Sequence, residues 1–344
     1  MQEEIKGYLA VREGGAGLID LSARGRIRVT GSEATMFLNG LITNDIKNLG
    51  DNCWMPAVFP NVQGRLVGSV RIARTGDSFL IETEPASHEA VLKTVSRFTL
   101  AGDFKVSDVT SETALLTVQG KRAVEVVENV VPVFDVPLTV MRATHTAEDG
   151  IDVIVDSNHK AKLWQMLIDA GSEPVSDDTF EILRVEAGIA RHGQDMDESN
   201  VVLETNLDDA VSYTKGCYIG QEIIVRIKHR GHVAKKLTGL RFGTDTPVDA
   251  GATVKSGEDK EIGRVTSTVV SPKLGSTIAL AYVRYEHLEP KTKVMVNGNA
   301  ATVTGLPFIR GSWYQDLWLT NAKIIRLETS TSHRPALLTQ SSRT

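Results

Sequence analysis

The chain has 344 residues, 41% of them hydrophobic and 24% charged, with 38 Lys and Arg against 43 Asp and Glu for a net charge of −5. At roughly 100–200 residues per domain, that length gives two or three domains with cores of their own, while the two cysteines, Cys53 and Cys217, can build neither a disulfide framework nor an all-cysteine zinc site. The mild acidity argues against a nucleic-acid-coating protein, no window approaches the ~18 apolar residues of a membrane helix, and the acidic start Met1-Gln2-Glu3-Glu4 is unlike a secretory leader, which reads as cytoplasmic.

The first 75 residues read as strands and turns with one short helix. Residues 26–31 (RIRVTG) alternate as a half-buried strand does, and Ser32 then offers an N-cap to a helix carrying Ala34, Phe37, Leu38 and Leu41 on one face. Strands over 54–59 and 66–73 flank Asn61-Val62-Gln63-Gly64, the residues of a tight reversal. The run Gly14-Gly15-Ala16-Gly17 precedes no clear strand-to-helix turn and so is a poor dinucleotide loop.

A strand over 78–83 leads to a helix over 87–98, striped with Val91, Leu92, Val95 and Phe98. A second such unit follows, a strand over 151–155 and a helix over 158–170 that Gly171 can cap. Both helices end in related sequences: 101-AGDFKVSDVT-110 and 170-AGSEPVSDDT-179 agree at six of ten positions with a constant offset of 69. This reads as internal duplication, two similar α+β halves with a ligand groove between them. A third helix over 178–188 takes Asp177 or Asp178 as N-cap and turns Phe180, Leu183 and Ala187 inward.

After residue 233 six short β segments with frequent Gly predict a small barrel or sandwich, at 237–242, 252–256, 262–270, 277–283, 293–296 and 301–305. Residues 1–232 therefore form one module and 233–328 a second domain, and the Ser/Thr-rich 329–344 reads as an unstructured tail.

Chemistry concentrates between 184 and 226. Gly216 and Gly220 bracket Cys217 and Tyr218, with Lys215 on one side and Glu222 on the other. If a helix begins near Ile219, its dipole and Lys215 both favour a Cys217 thiolate, whereas a strand over 223–227 removes the dipole effect. Glu186 falls at the border of the inward face of its helix, where a carboxylate can accept two parallel N–H donors of a guanidine- or pterin-like ring. Arg226, Lys228, Arg230, Lys235 and Lys236 suit carboxylate or phosphate tails, and His229 and His232 lack a third ligand for a metal.

The segment Lys215-Gly216-Cys217-Tyr218-Ile219-Gly220-Gln221-Glu222 resembles the YgfZ group of folate-binding proteins, relatives of the glycine-cleavage T-protein, an aminomethyltransferase. The resemblance extends over Asp20-Leu21-Ser22-Ala23-Arg24-Gly25-Arg26, Phe37-Leu38-Asn39-Gly40-Leu41-Ile42-Thr43-Asn44-Asp45, Asn61-Val62-Gln63-Gly64-Arg65, Leu183-Arg184-Val185-Glu186-Ala187-Gly188 and Gly263-Arg264-Val265-Thr266-Ser267. It implies an α+β fold in which a folate-binding module of two ferredoxin-like halves is followed by a C-terminal β-barrel. It also implies tetrahydrofolate as ligand, with Glu186 on the pterin and Arg184, Tyr218, Gln221 and Arg226 as companion folate-binding residues. Cys217, with Lys215 beside it, becomes the reactive group of a monomer that supports iron–sulfur cluster assembly or repair in client proteins.

Two departures from the aminomethyltransferases matter. The Asp-Asp pair that in those enzymes acts on the receiving folate nitrogen falls here on Gly68-Ser69, and the arginine usual before the last glutamate of the motif is Gln221. Loss of an acid/base partner commonly costs about 10²–10⁴-fold in rate. One cysteine also cannot hold an iron–sulfur cluster alone, since clusters take about four ligands. A folate-dependent aminomethyltransferase or demethylase with a different base, acting on a small amine, stands as the alternative.

Overall fold

The computed structural model describes residues 2–97, 99–100, 102–243 and 246–314; the expected tail and Phe98 lie outside them. The chain opens with helix α1 (Gln2–Arg12), where strands and turns are expected, and strand β1 (Gly17–Asp20). A first half then runs β2 (Gly25–Thr30), α2 (Ala34–Leu41), β3 (Cys53–Pro60), β4 (Leu66–Thr75), β5 (Ser78–Thr83), α3 (Pro85–Ser96) and β6 (Lys105–Asp108), in the sheet order β3-β4-β5-β2-β6. The second half runs β7 (Thr113–Gln119), α4 (Ala123–Val130), β8 (Thr139–Arg142), β9 (Gly150–Asp156), α5 (Lys160–Asp169) and β10 (Glu173–Pro174), in the order β10-β1-β7-β9-β8.

With β3 set aside from one sheet and β1 from the other, both halves have the βαββαβ order and strand arrangement of a ferredoxin-like unit. The related segments 101–110 and 170–179 each lead from a helix into the strand at one edge of its sheet. Each sheet buries one face under its own helices: Leu38, Leu41, Val91 and Val95 pack on Ile27, Val70 and Ile81 in the first, and Val126, Val130, Leu163 and Leu167 on Leu116, Val118 and Val153 in the second. The remaining faces turn toward each other, where Trp54, Ala73 and Leu80 meet Leu115, Met141 and Ile154.

Helix α6 (Asp177–Glu186) follows, capped by the Ser176 side chain rather than by Asp177 or Asp178. Likewise Ser32 does not cap α2; its hydroxyl donates instead to Asp103 at 2.9 Å. Helix α7 (Gln221–Arg230) occupies the stretch whose β-branched residues leave helix and strand open. The barrel closes in the order β11-β14-β13-β12-β15-β16, from β11 (Lys235–Phe242), β12 (Thr253–Lys255), β13 (Glu261–Ser271), β14 (Ser276–Arg284), β15 (Lys293–Val296) and β16 (Asn299–Thr304). Val185 of α6 packs on Leu237, Ile278, Leu280 and Tyr282 of its outer wall. Among the described residues no helix is long and apolar enough to cross a membrane.

Candidate functional site

The residues singled out in the sequence divide between two places. The first is the segment before α7. Gly220, at φ 77°, has room for no side chain, because a Cβ there would lie 2.3 Å from the Asn61 carbonyl; the close approach seats the start of α7 on the β3–β4 turn. Lys215 is buried, and its ammonium donates to the carbonyls of Asn39, Ile42 and Asn44 at 2.6, 2.9 and 2.7 Å. Its three donors are spent on the end of α2, so its role is positional and not catalytic. Burial pushes its pKa down to about 8.

Cys217 is exposed on the same segment, four residues ahead of the first residue of α7. Tyr218 is buried against Val58, Leu66, Met196 and Ile224, and burial pushes its phenol up to about 12. Gln221 opens α7, and its backbone N–H donates to the Tyr218 carbonyl. Arg226 points outward and pairs with Glu222 one turn back, a surface pair.

The second place is α6, and here the groove-edge reading is corrected. Glu186 is fully buried, and its oxygens are taken: one accepts from Tyr8 at 2.8 Å and Ser271 at 2.5 Å, the other from Arg12 at 2.9 Å. Arg12 also donates to Glu148 at 3.0 Å and the Thr146 carbonyl at 2.7 Å. Helix α1 closes this side of α6, so the border of the apolar face became interior. Arg184 is buried too, bonded to Asp195 at 2.7 Å, to Ser267 of the barrel at 2.9 Å and to Glu181. Both are interior ties between module and barrel.

Between the two sheets lies a set of charged residues that the sequence reading missed. Arg71 of β4 pairs with Glu82 of β5 at 2.5 Å and crosses to Asp152 of β9 at 2.6 Å. Arg24 bridges Glu82 and Glu84 at 2.8 and 2.9 Å, and His145 lies 3.0 Å from Asp152. Burial alone would raise the Asp152 and Glu82 carboxyls, but Arg71, with His145 on the first and Arg24 on the second, holds both below the ordinary carboxylate range.

This set bears on Gly68-Ser69, where the resemblance expects the aspartate pair of the transferases to fall. A Cβ on Gly68 would sit 2.4 Å from Val91 in the helix-covered core, so no acid fits there. Ser69 falls on the opposite face with Arg71. The register Val70↔Thr83 and Arg71↔Glu82 continues to place Ser69 across from Glu84, whose contact with Arg24 puts it on that face. Above it comes His192: the following Gly193 packs on Ala86 just past Glu84, and the ring is buried with Nδ1 lacking a hydrogen-bond partner. Burial lowers the His192 pKa against the opposing charges of Asp197, Glu84 and Glu198, favouring the neutral ring. The face thus offers a carboxylate, a serine hydroxyl and a neutral imidazole. The alternation of Ser69 with Arg71 and of Glu82 with Glu84 was the available signal.

Comparison with known proteins matches this architecture. The model for the GCVT N-terminal domain covers residues 2–215, and that for the glycine cleavage T-protein C-terminal barrel domain covers 235–309. The aminomethyltransferase of Rubrobacter xylanophilus is 32% identical over 313 residues, 86% of this chain and 83% of that one. The aminomethyltransferase of Thermotoga neapolitana is 30% identical over 341 residues, 88% and 89% of the two chains. The crystal structure of glycine cleavage system aminomethyltransferase T from Bartonella henselae superposes with a TM-score of 0.81 at 23% identity, covering 89% of each chain, a likeness of fold.

Proposed function

The chain belongs to the glycine cleavage T-protein family, and on that premise we propose that it binds tetrahydrofolate and serves folate-dependent one-carbon transfer from a small amine. When bound, tetrahydrofolate supplies the nitrogen that receives the carbon. The observation that carries the reading is the polar face of β4 and β5, where Arg71 pairs with Glu82 and Arg24 with both Glu82 and Glu84, and where the β4–β5 register, carried one step further, brings Glu84 toward Ser69. Glu84, not the saturated Glu186, is the carboxylate this face offers to a ring N–H. His192, neutral and with a free Nδ1, is the group able to take or return a proton there. Arg24 holds Glu84 in place from below.

An anaerobic calorimetric titration with tetrahydrofolate tests it. Saturable binding that weakens about tenfold or more in Glu84→Gln, with thermal stability unchanged, is expected. No binding to the wild-type chain would overturn it.

A second reading has its own observation: Cys217 is exposed while Ser69 stands where the transferases carry an acid. In this reading tetrahydrofolate binding supports assembly or repair of iron–sulfur clusters in client enzymes, with Cys217 as the required thiol. A Cys217→Ala strain whose iron–sulfur enzymes keep full activity under oxidative stress would sink it.

A further inference from the structure

A cavity of about 900 Å³ opens between the 194–200 loop and the outer wall of the barrel. Three cations line its barrel side. Lys235 of β11 lies directly across from Arg284 of β14, and Arg264 of β13 directly across from Tyr282, two residues from Arg284 along β14. Like charges set opposite one another on neighbouring strands repel. Among the described residues none of the three has a carboxylate within salt-bridge distance, although the chain carries more acids than bases. The Lys235 ammonium rests only over the Tyr282 ring, 5.1 Å from its centroid.

Tyr282 adds an independent sign. It is 6% exposed, and its hydroxyl has no hydrogen-bond partner. A buried hydroxyl left unpaired is costly, and such groups mark places that a bound molecule completes. On the opposite wall the loop presents Asp197, an exposed carboxylate that accepts from the Ser199 N–H at 2.7 Å. Glu261 stands at the start of β13 on the rim. Asp195, deeper in, is already neutralised by Arg184. The cavity therefore carries cations on one wall and a carboxylate on the facing one, close enough for the Lys235 charge to act on Asp197 but beyond salt-bridge distance.

We propose that this cavity binds a small acidic amino acid or its peptide, with the ligand's carboxylates on Lys235, Arg264 and Arg284 and its ammonium or amide N–H on Asp197. Opposed strand pairs lie about 5 Å apart and diagonal ones about 7–8 Å, so two carboxylates a few bonds apart reach different cations. A simple dense anion would meet Asp197 and Glu261 without giving them a donor. The site adjoins the Ser69 face through Asp197, whose charge also acts on His192, and its ligand binding is read with no folate present.

Calorimetric titration of the full chain with L-glutamate, and separately with glutarate, which has the same carboxylates and no ammonium, tests the proposal. Saturable one-to-one binding of L-glutamate is expected, with glutarate at least fivefold weaker. Lys235→Ala/Arg284→Ala should weaken L-glutamate at least tenfold while its ligand-free melting temperature stays the same or rises, since a repulsive pair has been removed. Arg264→Gln, which leaves both members of that pair in place, should weaken L-glutamate as well. Asp197→Asn should erase the difference between the two probes. No saturable binding of L-glutamate, or an affinity that the double variant and Arg264→Gln leave unchanged, would overturn the proposal. Equal affinity of the two probes for the wild-type chain would overturn the role of Asp197.

Discussion

Replacing Glu186 by Ala separates a ligand-holding carboxylate from a structural one. The side chain accepts from Tyr8, Ser271 and Arg12, and its removal leaves the Arg12 guanidinium buried with one carboxylate, that of Glu148. Breaking one partner of a buried pair costs about 3–5 kcal/mol, because the remaining charge cannot return to water. The surviving Glu148 contact and the Thr146 carbonyl place this case near the lower end, about 3 kcal/mol. For a unit the size of the module, at about 2–4 °C per kcal/mol, the melting temperature should fall by roughly 6–12 °C. Differential scanning calorimetry reads that shift directly. Glu186→Gln should recover part of it, since its amide oxygen still accepts from Tyr8 and Ser271. A Glu186→Ala chain that melts with the wild type yet fails to bind tetrahydrofolate would refute this assignment and return the carboxylate to the ligand site.

The Arg71 set gives a pH prediction. Asp152 and Glu82 titrate below their unfolded values, so their contribution is fully present above the ordinary carboxylate pKa of ~4 and is lost as pH falls through the folded values. Urea midpoints of the wild type should therefore drop from pH 5 to pH 3; Arg71→Met should be about 3–5 kcal/mol less stable at pH 7 and lose less on acidification, because its unpaired carboxylates then gain by taking up protons. A parallel acid slope in the two proteins would contradict the assignment. Lys215→Met leaves three helix-end carbonyls without their donor, and a loss of about 1–3 kcal/mol in urea unfolding is expected. Thiol titration of the native chain should show one fast group, lost in Cys217→Ala and kept in Cys53→Ala, since Cys217 is exposed and Cys53 half-buried.

Much of the fold was legible because periodicity reports burial. The six barrel strands and the β3–β4 hairpin follow from alternation and turn residues, and the duplicated segment marks the fourth strand of each half. Helix α1 was not legible: its stripe is weak, because its buried residues include Tyr8 and Arg12, polar groups that are inside only because Glu186 meets them. The same fact explains Glu186. A helix register gives the angle of a side chain but not what covers that angle, and a partner 174 residues away in the chain supplies the cover. Lys215 reads like an activating neighbour of a thiol for a similar reason, since its carbonyl partners belong to a distant helix end.

Family membership and the loss of its acid pull in different directions, and the geometry narrows the conflict. A scaffold that had merely decayed would gain nothing from an arginine at 71, yet this chain places Arg71 and Arg24 so that they hold Glu82 and Asp152 ionised between two sheets, with Arg24 also pairing with Glu84. Isolated burial of that many carboxylates is prohibitive, and only the guanidinium pairs make it tolerable. The pairs fix Glu84 beside Ser69, in reach of the position that the missing aspartate would occupy on the neighbouring strand. Beside the position where the resemblance expects the family's acid on β4, this face carries its own negative charge on Glu84, at the end of β5. On the proposed reading, the Glu84→Gln titration therefore asks whether that carboxylate does for the ligand what the expected aspartate does in the family.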